Sequence, residues 1–187
     1  IINYLRNRAL FEHKYNGDKT PIYLDVKSRD KLKSCLEALE QNKKIQDLLH
    51  PTGVIEDPIS CNEKTILLDV EVKVDDLEPF VLRLKSKLDN YTIDKENNVI
   101  TVNDVKTTGK RVNEFDDAVM NYHYYRELGM YTYLLSLCAK KFYNMENPTI
   151  KGNFLVVSTI PNYYTKVVPI TKKLLMKGFE EFSTLLR

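Results

Sequence analysis

Apolar and polar residues alternate with period two over residues 65–74 and 80–88, which predicts two strands joined by the acidic turn Asp75-Asp76-Leu77-Glu78-Pro79. The alternation returns in the stretch KSKLDNYTIDKENNVITVNDVK, residues 85–106, where two such segments flank the polar cluster Asp94-Lys95-Glu96-Asn97-Asn98. That is the pattern of a β-hairpin, and with the preceding strands it makes a meander of three or four. After the polar loop Thr107-Thr108-Gly109-Lys110 the period becomes helical over about residues 113–143. Met120, Tyr124, Glu127, Tyr131, Leu134, Leu135, Cys138 and Phe142 form its stripe, and Asn147-Pro148 ends it. Strands are expected at residues 154–159 and 163–168, around Pro161-Asn162. An amphipathic helix begun by Pro169 or Thr171 then turns Leu174, Leu175, Phe179, Phe182 and Leu186 inward.

Ahead of the meander the pattern is sparser. Residues 3–13 admit a short helix and residues 21–26 an extended piece. Ser28 is the expected N-cap of a helix to about residue 44, with Leu32, Cys35, Leu36 and Leu39 as its stripe. Residues 46–50 extend it before Pro51-Thr52-Gly53 stops it. The order helix, meander, long helix, two strands, helix predicts an α/β or α+β fold, a mixed sheet flanked by helices.

At 187 residues the chain is expected to be one domain, a helical region over residues 1–60 and a core over residues 61–187. Hydrophobic residues at 43% and charged residues at 29% are those of an ordinary globular protein. No apolar run approaches the ~20 residues of a membrane span. No basic-then-apolar leader opens the sequence, so a soluble, cytoplasmic protein is expected. A net charge of +2 neither demands nor excludes nucleic acid. Cys35, Cys61 and Cys138 form no C-x-x-C pair, which argues against a zinc ribbon or iron–sulfur staple and fits a reducing compartment. His13, His50 and His123 lack metal-ligand spacing, and the absence of a Gly-rich phosphate loop argues against an ATP-driven motor.

The candidate chemistry lies in the hairpin. With the turn centred between Glu96 and Asn97, Ile93 faces Ile100, Tyr91 faces Val102, Asp89 faces Asp104 and Lys87 faces Lys106. All eight share one face, so an apolar face runs into two carboxylates and two ammonium groups. The opposite face is expected to be mostly polar, apart from Leu88, Val99 and Val105. Paired carboxylates on a buried face raise each other's pKa and call for a cation, most simply a divalent metal. A slip of one residue would undo the arrangement. Asp104-Val105-Lys106 alone says little, because Asp25-Val26-Lys27 repeats it without a hairpin or helix beside it. Glu127 and Tyr131, four apart on the long helix, put a carboxylate on an apolar stripe, where it needs a partner.

Asp89, then Asp104-Val105-Lys106-Thr107-Thr108, then the run from Tyr122-His123-Tyr124-Tyr125-Arg126-Glu127 through Tyr131, resembles the PD-(D/E)xK nuclease superfamily, in particular its RecB-like and phage-exonuclease branch. Members of that branch carry a K-x-D strand, a D-x-K-T-T strand and a helix with R-Q-x-x-x-Y. The likeness covers about residue 62 to the C-terminus and departs at Glu127, where the branch usually has Gln. The resemblance implies a restriction-endonuclease-like core and a DNA exonuclease of phage recombination or processing, working in the host cytoplasm if phage-encoded. Asp89, Asp104 and the Val105 carbonyl would hold Mg²⁺ or Mn²⁺, and Lys106 would orient or activate the attacking water. DNA is the implied partner, and a recombination or single-strand-binding protein a further one.

Several residues keep two readings. Glu63 either completes the site or is a loop carboxylate before a strand. Lys87 and Arg126 either contact phosphates or are solvated cations, and Tyr131 either contacts substrate or packs in the core. Tyr122, Tyr124, Tyr125, Tyr131 and Tyr133 either stack on bases or belong to the core. The rivals to a nuclease are a catalytically inactive nuclease fold that binds nucleic acid or protein, and an α/β domain whose Asp–Lys hairpin is a surface ion-pair ladder.

Overall fold

A computed structural model of the chain describes residues 24–51, 59–73 and 78–184. The expected helix at residues 3–13, most of the extended piece, residues 52–53, residues 75–77 of the acidic turn and Leu186 lie outside the described residues. In order the elements are α1 (Val26–Gln41), α2 (Lys43–Leu49), β1 (Ile59–Val72), β2 (Phe80–Asp94), β3 (Val99–Thr108), a 3-10 turn (Val112–Glu114), α3 (Phe115–Asn121), α4 (Tyr124–Tyr143), β4 (Thr149–Ser158), β5 (Thr165–Ile170) and α5 (Lys172–Thr184). The strands form one sheet in the order β1-β2-β3-β4-β5. All pairings are antiparallel except β3 with β4, whose parallel crossover carries α3 and α4. The fold is α+β, a mixed sheet flanked by helices.

The hairpin takes the expected register from Asp94–Val99 to Asn90–Asn103, but the expected pairs Asp89–Asp104 and Lys87–Lys106 are not formed. Tyr91 pairs with Val102 and Ile93 with Ile100, and these four side chains are at most 2% exposed. They join Phe154 and Val156 of β4, Leu128, Leu134 and Leu135 of α4 and Leu175 of α5 in one core. β2 is a single strand where the pattern suggested two pieces, and β1 begins earlier than expected, at Ile59.

The opposite face is mostly polar, as expected, but part of it is buried. Leu88, Asn90 and Asn103 are buried there, and α2 lies against β2 with its last carbonyls turned to the two amides. Asn103 Nδ2 donates to Leu48 O (3.1 Å) and Asn90 Nδ2 to Leu49 O (3.4 Å). The amides also form a ladder across four strands. Asn153 donates to Asn103 (2.9 Å), Asn103 to Asn90 (2.7 Å) and Asn90 to Asn62 (2.7 Å), so their burial leaves the chain of amides satisfied.

Four local expectations are corrected. Asp25, not Ser28, caps α1: its carboxylate accepts from the Ser28 N–H (2.8 Å) and the Ser28 hydroxyl (2.9 Å). Asn42 ends α1 and caps α2 with its own side chain, which breaks the expected single helix. Of the α1 stripe Cys35 is buried, whereas Leu32 and Leu36 are exposed. The long helix is broken at Tyr122 and His123, where His123 adopts φ 56°, so Met120 falls on α3 and is exposed, as is Phe142 near the end of α4.

Helices α4 and α5 touch backbone to backbone through two glycines. A Cβ on Gly178 would lie 2.1 Å from the Tyr125 carbonyl oxygen, and one on Gly129 would lie 2.4 Å from the Gly178 carbonyl carbon. Neither obstacle is a side chain that can swing away. Gly178→Ala is therefore expected to destabilise the protein by about 3 kcal/mol or more. A urea melt showing less than about 1 kcal/mol of loss would mean the helices separate more easily than this contact implies.

Candidate active site

The sheet opens where the carboxylates lie. The β1–β2 ladder pairs Asn62 with Asn90 and Lys64 with Leu88, skipping Glu63 and Asp89 between them. On its other side β2 stays paired with β3 only as far as Asn90 and Asn103, one residue short of Asp89 and Asp104. Continued pairing would set those two carboxylates side by side, which like charges oppose. Asp89 Oδ2 instead accepts the Val105 N–H at 2.8 Å, filling the place of a ladder bond. A strand residue sends its N–H and C=O to the same side, so the Val105 carbonyl also leaves β3 towards this opening. The amide ladder closes the sheet immediately beside it.

Asp104 is 2% exposed. Its Oδ2 forms a 2.7 Å ion pair with Lys106 Nζ and meets no other donor. Lys106 Nζ also lies 2.8 Å from Glu127 Oε2 of α4, and the Tyr131 hydroxyl donates to Glu127 Oε1 at 2.7 Å. The Tyr124 ring flanks the ammonium, its centroid 5.2 Å from Nζ. Two elements thus meet at Lys106, the end of β3 and the first turns of α4.

Burial pushes the Asp104 carboxyl up to about 6, against the pull of Lys106, and Glu127 and Asp89 add to the rise. Burial works against the Lys106 ammonium, but hydrogen bonds to Asp104 and Glu127 outweigh it and hold its pKa above the ordinary lysine value. The Tyr131 phenol is raised by burial and then by Glu127.

Asp89, Asp104, Val105, Lys106, Glu127 and Tyr131 therefore come together. Tyr131, 7% exposed, packs in the core and holds Glu127. Glu63 and Lys87 form an exposed ion pair with each other, and Glu63 has φ 53° at the skipped position of the ladder. Arg126 is bound to Glu181 of α5, which also accepts from the Tyr125 hydroxyl, so its guanidinium is engaged away from the carboxylates. The surface-ladder reading of Asp104 and Lys106 fails, since Asp104 is buried. Glu63 with Lys87 is such a surface pair.

A hard cation suits this donor set in part. Asp104 offers a buried carboxylate oxygen that meets no donor besides Lys106, and the Asp89 charge acts on it across the opening. Among the described residues, no three His, Cys, Asp or Glu side chains gather closely enough to hold an ion by themselves. Mg²⁺ often takes one or two carboxylates and fills its shell with water and substrate phosphate, so two carboxylates and a carbonyl fit it. Among the described residues, no helix is long and apolar enough to cross a membrane.

No protein-family model matches the sequence, and no curated protein matches it. Among solved structures, a protein of Eubacterium rectale named "Putative exonuclease" superposes with a TM-score of 0.56 over 98% of this chain, at 8% identity. The chain spans 59% of that protein's length. At this identity the likeness is one of fold, and the mixed sheet with its flanking helices is restriction-endonuclease-like.

Proposed function

We propose that this protein is a metal-dependent DNA nuclease of the PD-(D/E)xK type, and within it an exonuclease. One observation carries the proposal: a buried Asp104 carboxylate whose free oxygen meets no donor but Lys106, at an opening of the sheet that Asp89 shares. Surface ion pairs do not bury a carboxylate in this way, because burial costs more than the pair returns. The exonuclease label leans on the branch the motifs resemble and on the name of the Eubacterium rectale protein.

Asp104, Asp89 and the Val105 carbonyl would hold Mg²⁺ or Mn²⁺. Such an ion lowers the pKa of a bound water and polarises the scissile phosphate. Lys106 supplies a fixed positive charge where negative charge develops on the phosphate oxygens. Glu127 keeps the Lys106 ammonium in place, and Tyr131 in turn keeps Glu127 from swinging to solvent. Asp89 is oriented by the Val105 N–H, and the amide ladder keeps β2 and β3 in register behind it.

The test is degradation of end-labelled linear DNA beside a closed circle, with Mg²⁺ or Mn²⁺ and with chelator. Metal-dependent loss of the linear form alone is expected. Cutting of the circle as well would remove the exonuclease label and keep the nuclease.

One observation favours a second reading, an inactive nuclease fold that binds nucleic acid or protein: Glu127 stands where the branch has Gln and forms an ion pair with Lys106. Glu127→Gln separates the two. It removes the charge while retaining a group able to accept from Tyr131. For an active enzyme the expected change in kcat is within about tenfold, the scale of one exposed-to-half-buried ion pair. Cleavage that appears only in Glu127→Gln would establish the native chain as inactive.

A further inference from the structure

Beside the carboxylates lies a cavity of about 470 Å³, bounded by residues 107–110 on one side and α3 on the other. Its size falls within the ~300–1,000 Å³ of small-ligand sites. Tyr122 and Tyr124 line it, and Tyr124 is the ring beside Lys106, so the cavity adjoins the site directly. Tyr122 is 67% exposed. The two rings stand 5.7 Å apart at 40°, and Tyr124 stacks in turn on Phe115 (5.9 Å, 17°).

This placement depends on the broken helix. Residues two apart on a continuous helix point to different faces. The left-handed backbone at His123, φ 56°, turns Tyr122 back beside Tyr124, and a 2.9 Å contact between His123 Nδ1 and the Tyr125 hydroxyl holds the turn. A non-glycine residue in that region is unfavourable and persists where its surroundings enforce it. The other tyrosines of the run are accounted for within the fold. Tyr125 and Tyr131 are buried, and Tyr133 packs on Phe179 and Phe182.

The lining also carries a charge pattern. Thr107, Thr108 and Lys110 lie on the strand side, and Glu114, Asp117 and Asn121 on the helix side. Two carboxylates disfavour a phosphate within the cavity and accept N–H groups from the edge of a base. We propose that the cavity seats an unpaired nucleobase next to the phosphate at Lys106, stacked on Tyr122, which makes single-stranded DNA or a frayed end the substrate class. Its place beside a scissile phosphate rests on the nuclease reading; the stacking itself does not.

The test uses a short single-stranded oligodeoxynucleotide carrying 2-aminopurine at successive positions, with chelator present so that nothing is cut. Binding is expected to quench one position most strongly. Tyr122→Ala is expected to weaken binding about 5- to 150-fold, the effect of losing one stacked base. Tyr122→Phe should bind like wild type, and an abasic residue at the quenched position should weaken binding of the wild type but not of Tyr122→Ala. This set of results without cleavage in the metal assay would keep the base seat and discard the nuclease. Cleavage by the wild type with no position quenched, and with Tyr122→Ala binding unchanged, would discard the base seat and keep the nuclease. An intact wild type with neither binding nor cleavage would overturn both, whatever the folding of the variants.

Discussion

Lys106→Ala is expected to lower metal-dependent DNA cleavage by at least about 10²–10³-fold, mostly in kcat, the effect of removing one fixed group that stabilises transition-state charge. Lys106 is partly buried between Asp104, Glu127 and the Tyr124 ring, and alanine leaves no positive charge at that place. Lys106→Arg is expected to rescue poorly, because a planar guanidinium does not fit a pocket shaped around one compact ammonium. The variant leaves two carboxylates facing each other without their cation, so its folding is checked by circular dichroism at the assay temperature. A folded Lys106→Ala that keeps more than a tenth of wild-type kcat would remove Lys106 from the chemistry.

Asp104→Asn should abolish cleavage and yet make the metal-free protein more stable at neutral pH. The Asp104 carboxyl has a folded-state pKa of about 6 against an ordinary value of 3.8. Between those two values the folded state holds a proton that the unfolded chain has released. Stability from this group is therefore full below the unfolded value, declines as pH rises through the folded one, and stays low above it. The shift corresponds to roughly 3 kcal/mol at neutral pH, where burial makes the ionised form costly. Asparagine keeps the shape without the charge, and Lys106 retains Glu127. The gain should appear in urea melts at pH 7.5 as about 1–3 kcal/mol and vanish near pH 4. A loss of stability of equal size at both pH values would show that Asp104 is structural.

The extent of what could be read from the chain follows from the range of each interaction. The hairpin register was legible because alternation on two adjacent strands with a short turn leaves few pairings, and Tyr91–Val102 and Ile93–Ile100 are the pairs it favoured. That Glu127 needs a partner was legible, because a carboxylate on an apolar helical stripe does, but that the partner is Lys106 was decided by the packing of α4 beside β3. The amide ladder was not legible. Asn90 and Asn103 were visible as opposed polar residues, but their burial depends on α2, and their link to Asn153 depends on a parallel pairing with β4. Local pattern carries no information about which distant strand lies alongside.

The broken helix was missed for the opposite reason. Residues 113–143 have helical periodicity throughout, and the turn at His123, closed by backbone bonds and by a His123–Tyr125 contact, leaves that periodicity unchanged. Arg126 and Lys87 likewise read as free cations until α5 and β1 supplied Glu181 and Glu63.

Sequence alone thus determined the strands and most of the helices, a mixed sheet flanked by helices, the register of the hairpin's apolar pairs and the residue types at the site, all of which depend on neighbours within one or two elements. The tertiary structure decided which face is buried, which cations are already paired, where the sheet opens at Asp89, and that Tyr122 stands exposed beside Tyr124. Those features depend on which elements pack together, and burial and electrostatic pairing act between groups that are close in space however far apart they lie along the chain.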